Sequence, residues 1–234
     1  MFQNKKLFAV LIACLIAVVI SVTPKTEAYA AGVPNYATGS YVNTISYQEV
    51  NMYVAADQYS TVVATLPANS VCTVEGIEDI WVKVNHLGTV GYIYYEYVEY
   101  NEEVINSSLE KAEAERLARE ALLQQEAIRE LAALIHCEAG SEPIEGQIAV
   151  GAVVMNRVKS DRYPNDIHSV IYQPGQFTPA GRGSVANRLA TGNIKQSCLD
   201  AALAAFQGMD NTGGLLHFHA GSSGGLQIGR QVFY

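Results

Sequence analysis

Leu131-Ala-Ala-Leu-Ile-His-Cys-Glu138-Ala-Gly140-Ser-Glu142-Pro143 decides how the C-terminal half of this chain folds. Stepping about 100° per residue from Ile128, the side chains of Leu131, Leu134 and Ile135 form one apolar stripe, and Glu138 falls between Leu131 and Leu134. The spacing therefore predicts a core-facing helix that ends at Gly140, with a carboxylate set into its apolar seam. Burial disfavours the charged form of a carboxyl group, and the negative end of the helix dipole disfavours it further. Both effects predict a raised pKa, which a general acid working near neutral pH requires. A solvated helix-terminal glutamate is the plainer alternative.

Outward from this helix the chain stays helix-rich over residues 128–234. Glu142-Pro143-Ile-Glu145 starts a second helix, with proline in its first turn and Glu145 placed favourably for the dipole. Residues 144–157 are apolar nearly all round, the mark of a central, buried helix. Asp166 is placed to cap a short helix through Ile171, and Asn193 to start another that runs to Gly208. Two short strands, 215–219 and 230–234, are expected to close the chain around a glycine-rich turn.

Upstream, residues 101–127 are alanine-rich and charged, with Ser107 and Glu110 spaced as a capping box. They read as a stiff helical linker that merges into the helix of Glu138. Residues 38–100 have a different pattern: β-rich runs at 51–54, 61–66, 70–74, 81–84 and 91–94, separated by turn residues, suggest a small all-β barrel.

Residues 1–30 read as an export signal. Lys5 and Lys6 precede an apolar run over 7–22, and Ala28-Tyr29-Ala30 offers a small-x-small cleavage site. An uncleaved anchor and a lipoprotein box ending at Cys14 are the alternatives. The protein is expected outside the cytoplasm, secreted or in the cell wall, with no stable membrane insertion after signal cleavage and no ATP or nicotinamide cofactor. Cleavage removes Lys5, Lys6, Lys25 and Glu27, so 12 basic and 22 acidic residues remain, a net charge of −10. Such an acidic chain is a poor partner for nucleic acid or anionic membranes and suits a neutral polymer such as a glycan. Cys72, Cys137 and Cys198 are scattered and form no disulfide framework.

Two resemblances follow from particular strings. Asn51-Met-Tyr-Val54, Thr65-Leu-Pro67, Trp81-Val-Lys-Val84 and Gly91-Tyr-Ile with Tyr97-Val98 resemble a bacterial SH3 domain, a module of exported wall proteins; the tyrosines of this segment could form a surface for wall peptides, and an aromatic core and edge is the plainer alternative. Tyr53 stands where that family usually carries an arginine. Glu138-Ala139, Glu142-Pro143, Glu145-Gly-Gln147-Ile-Ala-Val150, Asn156-Arg157-Val158, Tyr163-Pro-Asn165, Val170-Ile-Tyr-Gln-Pro-Gly-Gln-Phe-Thr178, Ile228-Gly229 and Val232-Phe-Tyr234 resemble, in order, the cell wall hydrolase family that includes spore cortex-lytic enzymes of SleB type. That resemblance implies a lysozyme-like fold, peptidoglycan glycan strands as substrate, and the glutamate of the Glu-Ala pair, here Glu138, as catalytic acid. The fold class expected is multidomain: a small all-β SH3-like barrel followed by a helix-rich α+β lysozyme-like catalytic domain.

One acid suffices for one version of the chemistry. A glycosidase that releases a reducing end pairs its acid with a second carboxylate. A lytic transglycosylase lets the muramic C6 hydroxyl attack C1 instead, with the same glutamate removing the hydroxyl proton. Glu142 is the candidate second carboxylate of the muramidase alternative. Gln147, Asn156, Gln176, Phe177 and Thr178 join Glu142 as candidate substrate-binding residues; the alternatives are satisfaction of buried backbone for Gln147, Asn156, Gln176 and Thr178, core packing for Phe177 and capping of the next helix for Glu142. His217-x-His219 puts two rings on one side of a strand, but no carboxylate neighbours them, so no metal site is expected. Two rivals stand beside the glycan-cleaving enzyme. One is a cysteine endopeptidase with Cys137 as nucleophile and His168 or His217 as base, although Cys137 lies about 180° from Ile128. The other is a non-catalytic wall-binding protein.

Overall fold

The computed structural model describes residues 33–234; the expected export segment and Cys14 lie outside them. The chain divides into two compact units at Ala114/Glu115. No helix among the described residues is long and apolar enough to cross a membrane.

The first unit is built around a β-sheet. Its strands β1 (Tyr41–Thr44), β2 (Val50–Tyr53), β3 (Val62–Leu66), β4 (Val71–Glu78), β5 (Trp81–His86), β6 (Thr89–Tyr94) and β7 (Val98–Glu99) form one sheet in the order β3-β2-β6-β5-β4-β1-β7. The pairings are antiparallel. Alternation sends Val74, Val82, Val84 and Ile93 into a core shared with Val42, Val50, Met52 and Leu66. The β5–β6 hairpin turns on Leu87 and Gly88, both at positive φ (50° and 89°). That is the two-residue turn whose twist matches the strands.

β1 and β7 have no counterpart among the five expected strands. Asn43 and Thr44 of β1 are buried polar residues, so apolar alternation does not mark this strand. Its partners are polar: Asn43 Nδ2 donates to Glu99 Oε1 (3.0 Å), and Asn43 Oδ1 accepts from the Asn101 amide (2.9 Å).

The helix α1 (Glu102–Ala139) follows. It begins earlier than the Ser107 capping box predicts, because Asn101 Oδ1 accepts from the Val104 amide and Glu102 and Glu103 occupy the dipole-favoured first turn. Ser107 is an interior residue of α1.

The second unit packs the end of α1 with α2 (Ile144–Lys159), α3 (Ile167–Ile171), α4 (Thr178–Gly181), α5 (Ser184–Thr191) and α6 (Gln196–Phe206). Leu131, Leu134 and Ile135 are fully buried, as their stripe predicts. α2 is the central helix: Ala149, Val150, Ala152, Val153 and Val154 are buried around its circumference. Gly151 permits the closest approach, since a Cβ there would stand 2.9 Å from Ala205 Cβ and 3.0 Å from Ile135 Cδ1. Pro143 is the N-cap of α2, one position before the helix proper, and Lys195, not Asn193, precedes α6. Asp166 caps α3 as expected, accepting from the Ser169 amide at 2.8 Å.

The chain ends in a three-stranded antiparallel sheet, β8 (Phe218–Ala220), β9 (Leu226–Ile228) and β10 (Gln231–Phe233), in the order β8-β10-β9. β9 lies within the stretch expected to be a glycine-rich turn. Gly225 lets the returning chain approach the Phe233 carbonyl, where a side chain would collide.

Candidate active site

Glu138 is the penultimate residue of α1 and opens into a cleft of about 280 Å³. α1 supplies the carboxylate because its apolar stripe anchors the preceding turns in the core. Burial pushes the Glu138 carboxyl above its ordinary pKa. From β10, Gln231 lines the same cleft and donates from Nε2 to the Glu138 carbonyl at 3.1 Å, tying the helix end to the sheet.

The rest of the lining comes from α2, the segment entering α4, and β8. Arg157 is 4% exposed; its Nε donates to the Leu216 carbonyl at 2.8 Å, and its guanidinium lies 5.1 Å from the Tyr163 ring and 5.0 Å from the Phe177 ring. Nη1 of Arg157 and Oε1 of Gln231 are buried without hydrogen-bond partners. Phe177 packs near Phe218, which packs near Phe233, with centroids at 6.3 and 5.7 Å. His219 faces the cleft and pairs its Nδ1 with the Ala220 carbonyl at 3.0 Å. Among the residues lining the cleft, Glu138 is the only carboxylate.

The structure brings Glu138, Gln176, Phe177 and Thr178 together around this cleft. It does not bring Glu142, Gln147 or Asn156 there. Glu142 Oε1 accepts from Arg230 Nε (2.8 Å) and Oε2 from the Arg230 amide (2.9 Å), and these contacts hold its carboxyl below the usual range. Gln147 donates from Nε2 to the Glu142 carbonyl at 2.9 Å. Asn156 gathers the 210–215 loop through Asp210 Oδ2, Thr212 Oγ1 and the Leu215 carbonyl. All three polar side chains serve the protein's own backbone or charges.

Sequence reasoning assigned no role to Arg157, Phe218 or Gln231. Arg157 had a readable signal, a full charge inside a helix that is otherwise apolar nearly all round. Phe218 and Gln231 had none, because their approach to Glu138 is made by sheet pairing across the end of the chain. No group of three or more His, Cys, Asp or Glu among the described residues, His217 and His219 included, is placed to hold a metal. His168 is paired with Glu130 and His217 with Tyr163, so neither expected base is hydrogen-bonded to Cys137.

Residues 141–234 match the Cell Wall Hydrolase family, and residues 48–99 match the Bacterial SH3 domain. This chain carries a cell wall hydrolase domain. The spore cortex-lytic enzyme of Bacillus cereus is 36% identical over 94 residues, 40% of this chain and 34% of that protein. The spore cortex-lytic enzyme of Bacillus subtilis strain 168 is 34% identical over 91 residues, 39% of this chain and 28% of that protein. The chain thus spans about a third of the length of these curated relatives. The solved catalytic domain of the germination-specific lytic transglycosylase SleB from Bacillus anthracis is 29% identical, with a TM-score of 0.40, covering 46% of this chain and 92% of that one. Glu138 stands three residues ahead of the matched hydrolase span, while Arg157, Phe177 and Gln231 fall within it.

Proposed function

We propose that the cell wall hydrolase domain cleaves peptidoglycan glycan strands between N-acetylmuramic acid and N-acetylglucosamine as a lytic transglycosylase, with Glu138 acting first as acid and then as base. The observation that carries this reading is a cleft with a single carboxylate, whose pKa burial raises. The protonated Glu138 gives its proton to the bridging oxygen as the bond from muramic C1 to that oxygen breaks. The muramic C6 hydroxyl then bonds to C1, and the Glu138 carboxylate takes the hydroxyl proton, which restores the acid. The attacker is already part of the substrate, so its effective concentration is high and no water need be activated. The name spore cortex-lytic enzyme, borne by the curated relatives, supports peptidoglycan as the substrate class and an extracytoplasmic place of action.

The muramidase alternative needs a second carboxylate at the cleft, and Glu142 is engaged by Arg230 instead. For the β-unit we propose wall-peptide binding along the edge-packed rings of Tyr53, Trp81 and Tyr94, whose centroids are spaced 5.6 and 5.8 Å. Mass spectrometry of digested peptidoglycan tests the reaction. Fragments lighter by one water, with 1,6-anhydro ends, are expected; reducing ends would overturn the transglycosylase reading.

A further inference from the structure

α5 is two-faced. Val185 is buried and Leu189 packs against the core, whereas Ser184, Asn187, Arg188 and Thr191, at the i, i+3, i+4 and i+7 spacing of one helix face, border a cavity of about 380 Å³. Cys137 and Pro179 complete its lining with Asn193. No carboxylate borders it, and Arg188 forms no ion pair among the described residues. In a chain of net charge −8, an unpaired cation on a cavity wall stands out.

The Arg188 guanidinium is held in a fixed orientation. Nη1 donates to His136 Nδ1 (3.0 Å) and to the Asn193 carbonyl (2.9 Å), which uses both of its hydrogens. The Lys195 amide also donates to His136 Nδ1, at 3.3 Å, so that nitrogen is an acceptor and the ring is neutral. Burial, and after it Arg188 and Lys195, hold the His136 pKa below its ordinary value. His136 therefore positions the guanidinium without adding or cancelling charge. No hydrogen bond among the described residues uses Nε or Nη2 of Arg188, and these form the edge that pairs with the two oxygens of a carboxylate.

The other lining groups narrow the anion. Lys195 Nζ and Arg129 Nη2 are engaged by the Gly140 and Leu189 carbonyls, which leaves one free cationic edge and suits a single negative charge. The side chains of Asn187 and Asn193 are exposed and make no hydrogen bond among the described residues. Each offers a donor and an acceptor, the complement of a peptide amide. We propose that this cavity is a carboxylate site for a wall stem peptide, with Arg188 gripping the carboxylate through Nε and Nη2 and Asn187 and Asn193 pairing with the adjoining amide. It rests on the peptidoglycan reading above and asks nothing of the chemistry at Glu138.

Cys137 supplies the reporter, since it is half-buried while Cys72 and Cys198 are buried. Its rate of alkylation by iodoacetamide, mapped by peptide mass in the full chain, reports occupancy of the cavity and not of the rings of the β-unit. A synthetic stem peptide with free carboxylates, at about ten times its dissociation constant, is expected to slow Cys137 about ten-fold. The same peptide with its carboxylates amidated is expected to bind at least about ten-fold more weakly. That comparison leaves the protein unaltered, so it stands whether or not Arg188→Gln, which should abolish the protection, folds. Equal protection by both peptides overturns the role of Arg188. An unchanged Cys137 rate with the free peptide overturns the site, and protection by inorganic phosphate or peptide-free glycan strands in its place overturns the ligand class. Cleavage of glycan strands is assayed separately; its absence alongside intact peptide protection removes the glycan reading and leaves the carboxylate site standing.

Discussion

Glu142 Oε1 and Arg230 Nε lie 2.8 Å apart across 88 residues of chain, and the Arg230 amide donates to the other carboxylate oxygen at 2.9 Å. Arg230 Nη2 continues to Ser141 Oγ at 2.7 Å. This clasp joins the start of α2 to the β9–β10 turn, and so carries β10 with Gln231 to the end of α1. The carboxylate nearest Glu138 in sequence is a structural member that places the cleft wall.

Glu142→Gln should therefore lower stability by about 1 kcal/mol, because the pair combines a well-buried carboxylate with a largely exposed guanidinium. The Glu142 carboxyl is held low by the Arg230 amide first and the guanidinium second. Its contribution is complete above the ordinary carboxylate range and is lost as pH falls through its lowered pKa. Urea unfolding of both proteins over an acid pH series should show their difference shrinking toward the lowest pH.

At Glu138 the sign is opposite. A carboxyl whose folded pKa is raised binds more protons in the folded state, so stability falls as pH rises through that interval. Glu138→Gln should melt higher than the parent at neutral pH and level with it below the ordinary carboxylate range. The same variant should lose activity by about 10³-fold, the scale of a missing general acid. Parental activity should decline as pH climbs through the raised pKa. Turnover surviving in Glu138→Gln would sink the assignment.

Gly229 sits at φ 62°, and a Cβ there would be driven into Glu142 Oε2. Gly229→Ala should cost about 1–3 kcal/mol through backbone strain and loss of the clasp. Combined with Glu142→Ala, which clears the space, it should cost less than the two changes summed. A strictly additive double-mutant cycle would contradict the contact.

Arg157→Lys keeps the charge but loses the planar group between Tyr163 and Phe177 and the Nε donor to Leu216. We expect a loss of about 2 kcal/mol in stability, from a buried charge-assisted hydrogen bond. Tryptophan cannot report this, since Trp81 is the sole tryptophan and belongs to the β-unit; amide exchange at residues 215–218 should rise instead.

Local pattern reaches some of these features and not others. The apolar stripe of α1, the all-round burial of α2 and the Asp166 cap are properties of residues a few positions apart, and each was legible. β1 escaped because its buried Asn43 and Thr44 are satisfied by Glu99, Asn101 and Pro67, partners distant in sequence. β9 escaped because Gly225 and Gly229 look like turn residues until Phe233 and Glu142 are seen pressed against them.

What the sequence by itself determined is a β-rich SH3-like unit, a helix-rich hydrolase unit and a carboxylate at position 138 set into an apolar seam. Periodicity shows which side of a helix a charge occupies. Tertiary structure alone placed Glu142 against Arg230, Gln147 against the Glu142 carbonyl and Asn156 against the 210–215 loop, outside the cleft that Arg157, Phe218 and Gln231 line. A polar side chain takes whatever partner packing delivers, and the partners of Glu142 and Glu138 come from the far end of the chain.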